Sequence, residues 1–183
     1  MKDKLSHLWG DLSEKIGLST ITECSKDDDK KVHLVKSEKV VVDFDDASKA
    51  LAKDLQVDKP SSVDSLYVQG DFLYLVEFKN TIKPKPDEVR VKVHDTLATL
   101  KLSGYITDAD HQFIKVILVR KFKGTATKER RRLENAGLKP KLKKGLDFLQ
   151  KVYPLVEFFD MSPDDYKESI NTSNNREVTP CTQ

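Results

Sequence analysis

Long apolar runs are missing from this 183-residue chain. No stretch approaches the roughly 18 residues a membrane-spanning helix needs, so no membrane span is expected. The first ten residues carry an acid, Asp3, and lack an uninterrupted apolar segment, and they do not read as a secretory signal. Cysteine is scarce. Cys24 and Cys181 lie near opposite ends, which gives no disulfide framework, and the expected location is cytoplasmic. The four histidines, His7, His33, His94 and His111, are scattered, so neither His-His nor Cys-His spacing for zinc occurs. The seven glycines are too dispersed for a phosphate-cradling loop, which argues against NTP hydrolysis and dinucleotide chemistry.

What is present is enough apolar content for one core, 38%, under a heavily charged surface, 34%. The stretch from Val63 to Lys79 reads as two strands joined by a tight turn. Leu66, Tyr67 and Val68 form one side, and Phe72 to Val76 the other. Gly70-Asp71 suits a two-residue hairpin turn, with Gly supplying the positive φ. Counting outward from that turn sets Asp64 opposite Glu77, with Cβ atoms about 5 Å apart. Side chains alternate along a strand, so Lys79 shares the face of Glu77. Like charges directly opposite destabilise a hairpin. A divalent cation held between the carboxylates would justify the pairing, and the lysine could then position a water or balance developing charge. The bland alternative is a half-buried hairpin with a surface Glu–Lys pair.

An Asp on one strand, twelve intervening residues, then Glu77-Phe78-Lys79 on the next resembles the PD-(D/E)XK nucleases of restriction-endonuclease-like fold. The resemblance covers about residues 45 to 121. It implies an α-β-β-β-α-β core in which Asp64, Glu77 and the Phe78 backbone carbonyl bind Mg²⁺ (or Mn²⁺) and Lys79 serves catalysis. Val63 stands where the motif has Pro, and no strand is expected between the helix near residue 50 and Asp64.

Along the chain, residues 5 to 18 suit a helix with Leu5, Leu8, Leu12 and Ile16 on one side. Residues 25 to 31 read as a loop. Val32–Val35 and Val40–Phe44 read as a strand pair, and Asp45 or Asp46 as the cap of the next helix. Pro84 and Pro86 forbid strand continuation beyond Lys79. Val89, Val93, Leu97 and Leu100 then recur at helical spacing, and Gly104 suits a C-cap. Arg90, Lys92, His94 and Lys101 are assigned to that helix's solvated face. Phe113–Val119 reads as a buried strand parallel to the Glu77 strand. A basic segment follows: Arg120 to Lys144 holds eleven Lys/Arg against two Glu, a net of +9, in a chain whose total is +2. A further helix, a strand near 155–159, a short helix after Ser162 and a polar, disordered tail from 171 complete the chain.

The expected architecture is α/β: a restriction-endonuclease-like core with a mixed central sheet flanked by helices and a basic helical C-terminal addition. Residues 1–31 form an N-terminal helix and loop, 32–121 the core, and 122–170 a basic segment with closing strand and helix on the same domain. The expected function is metal-dependent hydrolysis of phosphodiester bonds, in DNA rather than RNA by family analogy. Lys121, Lys123, Arg130, Arg131, Arg132, Lys143 and Lys144 are the candidates for gripping the backbone of the nucleic acid. A double-strand cutter needs two sites, which would suit a homodimer. Two rivals stand beside this: a catalytically inactive, nuclease-like nucleic-acid-binding or regulatory protein, and a protein-interaction module of a mobile element or host-defence system.

Overall fold

The computed structural model describes residues 2–27, 29–122 and 144–174. Helix α1 (Lys2–Ile16) leads to β1 (Ser19–Thr20), the single-turn α2 (Ile21–Cys24) and two short strands, β2 (Lys26–Asp27) and β3 (Val32–His33). Next come β4 (Val40–Asp43), α3 (Phe44–Leu55), β5 (Ser65–Gln69), β6 (Phe72–Lys79) and α4 (Pro86–Leu102). A 3₁₀ segment (Asp108–Phe113), β7 (Ile114–Arg120), α5 (Lys144–Val152), β8 (Glu157–Met161) and α6 (Pro163–Asn174) follow.

Six strands build one mixed sheet in the order β1-β4-β5-β6-β7-β8, and the chain is an α/β protein. The first three pairings are antiparallel, and β6–β7 and β7–β8 are parallel. The β5–β6 hairpin has the expected register: Gln69 pairs with Phe72 and Ser65 with Val76. Gly70 takes φ +58° in the turn, a conformation most side chains resist. Pro86 sits at the start of α4, where its missing N–H costs nothing, and Gly104, at φ +77°, follows the helix end.

Alternation of side chains gives the sheet two cores. Leu66, Leu73, Leu75, Val116 and Leu118 pack under α1, α3, α4 and α5, through Leu8, Leu51, Val93, Leu97 and Leu149 among others. Tyr67, Val76, Phe78, Ile117 and Val119 pack on the other face against Ile21, Tyr166 and Ile170.

Four local expectations are corrected. Val32–His33 pairs with Lys26–Asp27 rather than with Val40–Phe44, so the 25–31 stretch is not simply a loop. The strand Val40–Asp43 instead joins the main sheet beside β5, reaching it across α3. The cap of α3 is Asp43, whose side chain accepts from the N–H groups of Asp45 and Asp46. Phe44, buried at 0% exposure, is the first residue of the helix, which puts the cap two residues earlier than Asp45. Finally, α6 continues to Asn174, into the polar stretch.

Candidate active site

The β6 positions that bury Leu73 and Leu75 continue as Glu77 and Lys79, so the charged pair extends the apolar stripe that faces α4. Glu77 is fully buried. Asp64, just before β5, donates its N–H to the Val76 carbonyl at 3.1 Å, one residue off the ladder in which Val76 pairs with Ser65. Its Oδ2 accepts the Phe78 N–H at 2.6 Å, so the outer peptide edge of β6 faces this carboxylate. The structure thus brings Asp64, Glu77 and Lys79 to one end of one sheet face.

A fourth residue joins them. Lys92, on α4, donates to Asp64 Oδ1 at 3.0 Å and to Glu77 Oε2 at 3.1 Å. Its ammonium also lies 3.0 Å from Glu77 Oε1. Assignment of Lys92 to the solvated face of α4 is therefore wrong, whereas Arg90, His94 and Lys101 do pair at the surface, with Asp87, Tyr153 and Asp108. Lys92 follows the buried Val89 by three positions, so its stem runs along the edge of the apolar stripe and its head turns inward to the carboxylates. The signal that could have found it is the polar series Glu88, Lys92, Thr96 at four-residue spacing, which puts all three on one side of α4.

Each member of that series has a job. Thr96 is fully buried, and its Oγ1 accepts the N–H of Val63 at 3.0 Å. Asp95 accepts the N–H of Ser61 at 3.2 Å. Together they fasten the approach to Asp64 onto α4. Glu88 pairs with the Lys79 ammonium, which also lies 3.1 Å from Glu77 Oε1.

The electrostatics follow from burial. Desolvation, then the neighbouring Asp64, pushes the Glu77 carboxyl up to about 8, while Lys92 and Lys79 pull the other way. Desolvation likewise raises Asp64 against the opposing pull of Lys92. Burial works against both ammoniums, but Asp64 and Glu77 hold Lys92 well above the usual lysine range, and Glu77 and Glu88 raise Lys79.

Although two ammoniums lie near it, Glu77 Oε1 receives no aligned hydrogen bond from either. A fully buried carboxylate oxygen without an aligned donor is costly. It is also a natural ligand atom for a hard cation. Mg²⁺ is commonly held by one or two carboxylates while keeping several waters, so Asp64 and Glu77 fit it, whereas the Phe78 group that meets the pair is its N–H, a donor to Asp64 and not a ligand atom. No group of three or more His, Cys, Asp or Glu that could hold a metal occurs among the described residues. Asp45 is bound up with Ser62 and Lys59, Asp46 with Lys49 and Asp54 with Lys15, so none of these acids extends the pair.

Of the basic candidates, Lys121 is exposed just beyond β7, and Lys144 opens α5. Lys123, Arg130, Arg131, Arg132 and Lys143 lie outside the described residues. Beside the site, Arg120 is buried and engaged. It makes a bidentate pair with Asp160, 2.8 Å for each contact, and donates to the Ile82 carbonyl at 3.0 Å.

No protein-family model, curated protein or solved structure matches this chain. Among the described residues, no helix is long and apolar enough to cross a membrane.

Proposed function

We propose that this chain is a metal-dependent nuclease that hydrolyses phosphodiester bonds, in DNA rather than RNA. The observation that carries this reading is the convergence of Asp64, Glu77 and Lys79 at one end of one sheet face, on a hairpin whose apolar stripe would otherwise continue. Bound Mg²⁺ or Mn²⁺ would supply Lewis acidity and an activated water. Asp64 and Glu77 would hold that ion. Lys79, oriented by Glu77 and Glu88, directs the attacking water or balances charge developing on the phosphate.

Topology lends support. The antiparallel run β4-β5-β6, followed by a crossover through α4 to a parallel β7, is compatible with the α-β-β-β-α-β order that the resemblance implies, except that a helix separates the first two strands. Here α3 is an excursion between β4 and β5, and no strand stands between that helix and Asp64 among the described residues. Basic residues after β7, beginning with the exposed Lys121, would grip phosphates in a salt-sensitive, sequence-independent way.

One observation favours a second reading, a nucleic-acid-binding protein without activity: Lys92 already pairs with both carboxylates, and among the described residues no third acid joins them. Incubating the protein with single- and double-stranded DNA and RNA, in Mg²⁺, Mn²⁺ or EDTA, separates the two. Metal-dependent cleavage that falls at least about a hundredfold in Lys79→Ala and in Glu77→Ala supports the nuclease. Binding without cleavage under every metal moves the conclusion to the inactive protein.

A further inference from the structure

Lys92 stands where a divalent cation would have to stand. Its ammonium lies 3.0 to 3.1 Å from three oxygens, Asp64 Oδ1 and both oxygens of Glu77. These are the oxygens that would close around Mg²⁺ at about 2.1 Å. An ammonium and a metal ion cannot share them. With Asp64, Glu77 and the rim Glu88 ionised, three carboxylates face the two ammoniums of Lys79 and Lys92, a net of −1. Adding a dication without removing an ammonium would leave an uncompensated positive charge where screening is weak.

We propose that Lys92 is a built-in counter-ion that occupies the divalent-cation seat between Asp64 and Glu77 and yields it by swinging back to Glu88. The inference rests on the metal-site reading above and adds to it a gate made from this chain's own side chain. Glu88 is one helical turn before Lys92, the spacing at which an acid and a lysine meet on a helix surface. It is half exposed, already holds Lys79 at the rim, and is drawn to lower pKa chiefly by Lys79 and further by Lys92. Lys92 is itself 21% exposed, so its head has a route outward along the α4 surface. The backbone need not move, because Thr96 and Asp95 pin the Asp64 approach to the same helix.

Two functions of the lysine follow. Without metal it keeps a pair of buried, facing carboxylates from repelling each other. With metal it is a competitor, so apparent affinity for the ion is lower than the two carboxylates alone would give.

Calorimetric titration of Mg²⁺ and of Mn²⁺ into the wild type, Lys92→Gln and Lys92→Met, at one neutral pH, measures this directly. Melting is followed in EDTA and in excess metal. Both variants should bind metal at least about tenfold more tightly than the wild type, melt lower in EDTA and gain more from metal. Lys92→Gln keeps hydrogen-bond donors near the carboxylates and carries the test if Lys92→Met does not fold in EDTA. Unchanged or weaker metal affinity in Lys92→Gln overturns the proposal, as does absence of metal binding by both proteins. Glu88→Gln should weaken metal binding in the wild type by more than it does in the Lys92→Gln background. Equal effects in the two backgrounds overturn the swing to Glu88. Tighter binding in Lys92→Gln, with no cleavage by the wild type under any metal, would sink the nuclease and keep the gate. Metal-dependent cleavage with unchanged affinity in Lys92→Gln would do the reverse.

Discussion

Replacing Glu77 with Gln tests how the site is held together, because it removes one buried charge while keeping shape and a polar terminus. The carboxyl is fully buried, and its pKa rises from 4.5 to about 8. Each pKa unit corresponds to about 1.4 kcal/mol of difference between protonation states, which sets a ceiling of roughly 4 to 5 kcal/mol. Asp64 shares the proton balance of the pair, so roughly half of that ceiling is the expected effect. The sign is fixed by the direction of the shift. A raised carboxyl pKa contributes stability that is complete below the ordinary value and is lost as pH climbs through 4.5 towards 8. Relative to Glu77→Gln, the wild type should therefore lose about 2 kcal/mol of unfolding free energy across that window. Urea unfolding of both proteins in EDTA, at several pH values from 4.5 to 8.5, measures the gap, and groups common to both proteins largely cancel. A pH-independent gap would refute the reasoning. So would a wild type that gains on the variant as pH rises, since the two lysines would then dominate burial.

Two further tests read the hydrogen bonds and ion pairs around the site. Thr96→Val removes the acceptor of the Val63 N–H and leaves that buried donor unpaired, at a cost of about 1 to 3 kcal/mol in denaturant unfolding. Metal affinity should fall with it, because Asp64 follows Val63, and Thr96→Ser should recover both. Arg120→Ala strips Asp160 of its bidentate partner at a site where both side chains are nearly buried, so a loss of about 3 to 5 kcal/mol is expected, read as a lowered melting temperature. A loss under 1 kcal/mol, comparable to that of a surface pair, would show that Asp160 finds water instead.

Much of the site was legible because it is local. The β5–β6 hairpin is written in strand formers around a Gly-Asp turn, and its register fixes Asp64 against the Glu77 strand with no help from distant residues. The spacing of Val89, Val93, Leu97 and Leu100 is likewise enough for α4, and the apolar run after residue 113 for β7. What escaped depends on the third dimension. The pairing of β4 with β5 skips a whole helix, so nothing in the adjacent sequence names the partner. β2 and β3 are two residues each, too short to show any period. Lys92 was missed because a lysine at the margin of an apolar stripe has the same pattern whether its head turns to solvent or to buried acids. Only the sheet beneath α4 decides between them.

The hairpin has a consequence for how the chain folds. Both acids belong to its most local pairing, and a hairpin closes in about 1 to 10 μs, before a helix from further along the chain need have docked. In that interval the carboxylates face each other with Lys79 as the one ammonium supplied by the hairpin itself. Lys92, fifteen residues beyond Glu77, arrives with α4. Docking of that helix is then the step at which electrostatic conflict is discharged, and the folding barrier should be lower in acid, where the carboxylates approach as neutral groups.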